Sequence, residues 1–148
     1  MSSKMQKPYL HKTCITCKIG KYKEPSNGQE WHLVCDACEA ILFCYEPMEH
    51  QARFHEDSTK YRGFFGGYGS AKTTTGAAEI IRHILETPRG RTLIGAQTVP
   101  QLEQTAMKEF FEMFPEELVE DYFKQQKILI TTNGHEILFR PLDDEGKI

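Results

Sequence analysis

Two periodicities divide the apolar positions of this chain. Lys72 to Glu86 places Ala77, Ile80, Ile81, Ile84 and Leu85 on one face and Glu79, Arg82, His83 and Glu86 largely elsewhere, which predicts an amphipathic helix. A second helical stretch, from about Val99 to Phe114, gathers Leu102, Ala106, Met107, Phe110, Phe111 and Phe114 into a stripe that belongs in a core. It opens on a capping-box pattern, Thr98-Val99-Pro100-Gln101. Pro47 to Asp57 reads as a shorter helix with Pro47 in its first turn. Strand-like runs are Tyr61 to Phe65, Arg91 to Thr98, Lys127 to Thr132 and His135 to Arg140. The last two flank Asn133-Gly134, the signal of a two-residue hairpin turn. Pro115 stops the aromatic helix, and Glu116 to Tyr122 reads as a short acidic turn of helix. From residue 61 onward the pattern is α/β with a β-hairpin.

Residues 1–45 follow another logic. Cys14-Ile15-Thr16-Cys17 and Cys35-Asp36-Ala37-Cys38 stand 17 residues apart, inside the spacing of a four-thiolate zinc site. Two residues between thiolates let one tight turn aim both sulfurs at a tetrahedral ion about 2.3 Å away. Pro25-Ser26-Asn27-Gly28 supplies a turn, and Glu30 to Val34 a strand running into the second knuckle. So short a module has too few apolar side chains to fold alone, and metal binding supplies the missing stability. Disulfides or buried thiols are the competing readings. Four thiolates leave no open coordination position, so the zinc is assigned a structural role. Cys44, in the apolar run Ala40 to Tyr45, reads as a packed thiol, and His32, His50 and His55 as ordinary histidines.

The chain has 148 residues, 39% hydrophobic and 26% charged, enough for a modest core and too apolar for a disordered chain. Its longest apolar run falls far short of the roughly 20 residues that cross a bilayer, and residues 1–12 lack the apolar stretch of a signal peptide. No membrane partner and a cytoplasmic address are therefore expected. The net charge of -3 is unevenly spread: residues 1–23 hold six lysines and no acid, whereas residues 116–148 hold eight acidic against four basic residues. A lysine-rich arm of this kind is either solvated surface or a polyanion contact.

The most informative segment is Gly66-Gly67-Tyr68-Gly69-Ser70-Ala71-Lys72-Thr73. It matches the phosphate-loop pattern G-x-x-x-x-G-K-[ST] except that Ala71 replaces the last glycine. The backbone from Gly66 to Ala71 would turn its N–H groups toward phosphate oxygens, Lys72 would meet the phosphate charge, and the Thr73 hydroxyl would ligate Mg2+. A helix beginning at the loop adds its positive dipole end. The expected fold is thus an incomplete P-loop NTPase-like α/β domain over residues 46–148, preceded by a small zinc ribbon with a basic arm over residues 1–45.

Four segments resemble the large terminase subunit of tailed bacteriophages, the ATPase motor that packages DNA. They are Gln51-Ala52-Arg53-Phe54-His55 with Lys60-Tyr61-Arg62, the loop GGYGSAKT, Thr98-Val99-Pro100-Gln101-Leu102 with Thr105, and Asn133 to Glu145. The resemblance covers about residues 47–148. It implies ATP and Mg2+ as cofactors beside zinc, adenine recognition by Gln51, double-stranded DNA as substrate, and the small terminase subunit and portal protein as partners in a bacterial host. It also implies DNA cleavage by the whole protein. Many relatives carry arginine at the third loop position, where this chain has Tyr68, so an arginine finger is expected from elsewhere. No Walker B strand is visible: Arg140 and Pro141 break the apolar run before Asp143-Asp144, so the acidic pair and the nuclease domain are expected beyond residue 148. The alternatives are a zinc-ribbon nucleic-acid-binding or scaffold module with a non-hydrolysing P-loop, and a helicase-like ATPase.

Overall fold

A computed structural model describes residues 17–23, 32–38 and 41–143. The basic arm, Cys14, the Pro25–Gly28 turn, Trp31 and the Asp144–Glu145 pair lie outside the described residues.

The N-terminal module is a three-stranded antiparallel sheet in the order β1-β2-β3, formed by β1 (Tyr22–Lys23), β2 (His32–Cys35) and β3 (Ile41–Cys44). The strand expected at Glu30 to Val34 runs into the second knuckle through Cys35, and the apolar run before Tyr45 supplies β3.

Helix α1 spans Glu49–Glu56. Pro47 lies ahead of it, and Met48, extended at φ -66° and ψ 161°, is its N-cap, so the helix starts two residues later than the sequence pattern predicts. The reason is local: the Gln51 side chain accepts from the Met48 backbone N–H at 2.8 Å and fixes the start there. Helix α2 spans Lys72–Glu86, as expected, and buries Thr75, Ala77, Ala78, Ile81, Ile84 and Leu85.

A four-stranded mixed sheet follows, in the order β4-β7-β6-β5. Strand β4 (Arg91–Ala96) pairs in parallel with β7 (Glu136–Pro141), while β6 (Ile128–Thr131) is antiparallel to both β7 and β5 (Val119–Phe123). One face carries Ile94, Leu129, Thr131, Ile137 and Phe139, all buried. Against it lies a continuous helical segment: α3 (Val99–Gln101), a π-helical stretch (Leu102–Met107) and α4 (Lys108–Met113). Phe110 meets Phe139 at 5.7 Å between ring centroids and Phe111 meets Tyr122 at 5.2 Å, so the aromatic stripe is core. The opposite face shows Leu93, Phe123 and Leu142 half-exposed, with Leu138, Ile128 and Ile130 between them.

Several expectations are corrected. Tyr61 to Phe65 is not a strand, because no described segment runs alongside it to complete a ladder. The P-loop-like order of strand, glycine loop and helix therefore lacks its strand among the described residues. Glu116 to Tyr122 is not helical beyond a single 3-10 turn (Glu116–Leu118); β5 begins at Val119. The hairpin turn has three residues, Thr132, Asn133 and Gly134, since Thr131 and His135 face one another and the Thr131 N–H donates to the His135 carbonyl at 3.0 Å. Gly134 takes φ +78°, the left-handed position that such a loop requires.

Candidate functional site

The Sγ atoms of Cys17, Cys35 and Cys38 all lie within 4.8 Å of one another. Cys17 Sγ and Cys35 Sγ are 3.7 Å apart, well beyond a disulfide and close to the edge of about 3.8 Å in a tetrahedron with metal–sulfur bonds of about 2.3 Å. Each knuckle turns a backbone N–H toward sulfur: Gly20 N donates to Cys17 Sγ at 3.3 Å and Ala37 N to Cys35 Sγ at 3.4 Å. The N–H groups of Gly20 and Ile19 push the Cys17 thiol below its usual range, which favours the thiolate that a metal takes. Lys21 N donates to Asp36 Oδ1 at 2.8 Å and ties the two knuckles together. These three thiols fit the zinc expected at this site. Cys14 is the expected fourth ligand, and it lies outside the described residues. His50 is exposed, and His55 is buried against Glu79, so neither belongs to the cluster.

The glycine loop is built from a tight turn. Ser70 N and Ser70 Oγ both donate to the Gly67 carbonyl, at 3.3 and 2.8 Å, with Gly69 at φ +76° in the third position of the turn. Gly66 is held to glycine by space, because an added Cβ would stand 2.4 Å from Ser70 Oγ. Ala71 is the N-cap of α2 and adopts φ 55°, ψ 28°, the left-handed conformation for which the loop pattern reserves a glycine. An L-residue there costs about 1 kcal/mol.

Lys72 opens the helix, and its ammonium folds back over the loop. Nζ donates to the carbonyls of Gly66 at 2.8 Å and Gly67 at 2.6 Å, and lies 3.1 Å from Ser70 Oγ. An anion arriving here competes with two neutral carbonyls for that charge, an exchange that favours the anion. Thr73, in the first turn, is exposed, as is Tyr68. Thr74 donates through Oγ1 to Glu109 of α4.

Gln51 comes to this end of α2 but points inward. It is buried, and its Nε2 donates to Thr75 Oγ1 at 2.9 Å while Thr75 Oγ1 donates to the Ala71 carbonyl at 2.8 Å. Gln51 thus joins α1 to the last residue of the loop.

An ion-pair cluster that sequence reasoning missed lies behind the loop. Glu79 of α2 receives His55 Nδ1, Arg62 and Arg82, each at 2.6 Å. Arg62 also donates to the carbonyls of Phe54 and Asp57 at 3.0 Å, and Arg82 to that of His55 at 3.1 Å. Burial pushes the Glu79 carboxyl up, but the His55 and Arg62 hydrogen bonds, with the charges of Arg82 and Arg62, hold it down at about 2. The only sequence signal was the spacing of Glu79 and Arg82 on one helix. His55 and Arg62 lie 24 and 17 positions away.

No helix of the described residues is long and apolar enough to cross a membrane. A search of curated proteins found no match, and neither did a search of solved structures. The family described as "Terminase large subunit, T4likevirus-type, N-terminal" matches residues 64–148, a stretch that takes in the glycine loop, α2, the mixed sheet and the hairpin. That match covers more than half of the chain, and the chain therefore belongs to the T4-like terminase large-subunit family, in its N-terminal part.

Proposed function

We propose that residues 46–148 form an ATP-binding part of a phage DNA-packaging motor, with the octet Gly66–Thr73 as the phosphate site. The observation that carries this reading is a tight glycine turn that delivers a lysine and a threonine to the first turn of a 15-residue helix. In this reading the ammonium of Lys72 leaves the Gly66 and Gly67 carbonyls for the terminal phosphates, and Thr73 Oγ1 holds Mg2+. Backbone N–H groups between Gly66 and Ala71 and the helix dipole carry the remaining negative charge. Gln51 is the residue assigned to adenine; it is buried beneath the last residue of the loop and would reach the base only by leaving Thr75. Zinc at Cys14, Cys17, Cys35 and Cys38 gives the N-terminal module its structure, and the lysine-rich arm with Lys18 and Lys21 faces double-stranded DNA. Portal protein and the small terminase subunit are the partners, in the cytoplasm of a bacterial host, and cleavage of DNA belongs to the whole protein.

A second reading, a nucleic-acid-binding or scaffold module whose loop does not hydrolyse ATP, is favoured by one observation: Tyr61 to Phe65 pairs with no described strand. One titration separates binding from its absence. Mg-ATP is expected to bind weakly by calorimetry, and Lys72→Ala to abolish the signal. Affinity that survives Lys72→Ala places the nucleotide elsewhere, and no binding at all leaves the scaffold reading.

A further inference from the structure

The far end of α2 has a defect that the hairpin repairs. Thr87 N donates to the His83 carbonyl at 2.9 Å, the last regular bond of the helix. The next carbonyl, that of Ile84, would take its bond from residue 88, and residue 88 is a proline with no N–H. The Asn133 side chain takes the missing place: Nδ2 donates to the Ile84 carbonyl at 2.8 Å, across 49 positions of sequence. Two residues on, buried His135 donates from Nδ1 to the Thr87 carbonyl at 2.7 Å, and its Nε2 lies 2.8 Å from Thr92 Oγ1.

The turn is itself hydrogen-bonded on both sides. Asn133 Oδ1 accepts from the His135 N–H at 3.1 Å, and the Asn133 carbonyl accepts from Arg89 N at 3.2 Å. Gly90 lets the imidazole in, since a Cβ there would stand 2.8 Å from His135 Cε1. Helix carbonyls point along the helix axis. The bond to the Ile84 carbonyl therefore resists sliding of α2 along its length, and His135 holds the Thr87 C-cap just beyond it, whereas the Thr74 and Thr75 side chains at the other end tie the helix sideways to α4 and α1.

We propose that Asn133 and His135 are positioning residues for the glycine loop, acting through α2. The helix is one stiff rod of about 22 Å. Where its C-terminal carbonyls are held decides where Lys72 and Thr73 stand at the other end. The turn touches no phosphate; it sets the axial position of the residues that do. This inference rests on the reading of the octet as a phosphate site, but the coupling itself is measurable without nucleotide.

The test is amide hydrogen exchange on the 148-residue protein, comparing residues 66–75 with residues 84–92. Asn133→Asp keeps an oxygen for the His135 N–H and loses the donor to Ile84; Asn133→Ala removes the donor without adding charge. Both variants are expected to raise exchange at residues 66–75 by about threefold or more, as well as at residues 84–92. Adding Pro88→Ala to either variant offers the helix end a backbone N–H but no tie to the hairpin, and is therefore expected to leave exchange at residues 66–75 raised. Mg-ATP affinity should fall by about three- to tenfold in the single variants, the factor by which the competent loop is depopulated, and stay low in the double variants. Faster exchange confined to residues 84–92, or a loop that Pro88→Ala does restore, overturns the proposal and leaves Asn133 as a local cap. If Lys72→Ala leaves ATP binding unchanged, the phosphate-site reading falls, and the exchange measurement alone decides the coupling.

Discussion

Gly20 and Ala71 meet two different limits on a Cβ, one of space and one of backbone conformation. A Cβ at Gly20 would stand 2.4 Å from Cys35 Sγ and 2.6 Å from the Ala37 Cβ, so the two knuckles close only over a bare backbone. Gly20→Ala is therefore expected to separate the thiols and lose the metal. Elemental analysis should fall from one zinc per chain to near zero, with a lower melting temperature, and a full zinc complement in the variant would show that the knuckles tolerate the side chain. At Ala71 the chain keeps a side chain where the geometry prefers none, and accepts φ 55°. The lysine and threonine after it stand at the start of α2, where the octet pattern puts them, because such a pattern fixes residue type and spacing together. Fixed spacing likewise announced the clustering of Cys17, Cys35 and Cys38. The Glu79 cluster was not legible in this way, since its partners His55 and Arg62 reach it from separate segments with no fixed spacing.

At the scale of elements, the Glu79 cluster ties the segment before the loop onto α2, and its charge state sets how firmly. The carboxyl is held at about 2 against an ordinary 4.5, so its contribution is fully present above about pH 4.5 and is lost as the pH falls toward 2. Urea unfolding across that window should show wild type losing about 2 to 3 kcal/mol relative to Glu79→Gln, which at neutral pH is itself destabilised by about 2 kcal/mol because two half-buried guanidinium groups lose their counterion. Parallel pH curves for the two proteins would remove the cluster from the account of acid stability. Helices α1 and α2 and strands β4, β6 and β7 were readable from periodicity, and the errors had physical causes. Strand β5 was missed because a bulge between Val119 and Asp121 breaks its alternation, leaving a run of acids that resembles a helix start. Tyr61 to Phe65 has strand composition, but composition cannot supply the neighbour that pairing needs. The π-helical stretch at Leu102–Met107 left the apolar stripe intact and gave no signal in sequence.

At the scale of the whole molecule, the four-stranded sheet has one well-covered face and, among the described residues, one open face. Parallel pairs such as β4 and β7 are ordinarily covered on both sides, yet here Leu93 and Leu142 are 50% and 54% exposed, on or beside a strand that is an edge among the described residues. Leu93→Lys is expected to lower self-association at high concentration without lowering the melting temperature; unchanged light scattering would acquit this face. The mixed α/β class and the clustering of three cysteines were thus readable in the sequence, while the pairing of distant parts was not. The same long-range pairing sets the order of events in folding. The β6–β7 hairpin closes over three residues and needs only microseconds, whereas Arg91 must wait 45 positions for Glu136 and the Ile84 carbonyl 49 for Asn133. During synthesis α2 and β4 emerge long before either partner exists. Docking of a preformed hairpin then finishes the end of the helix and the parallel edge of the sheet in one slow, late step.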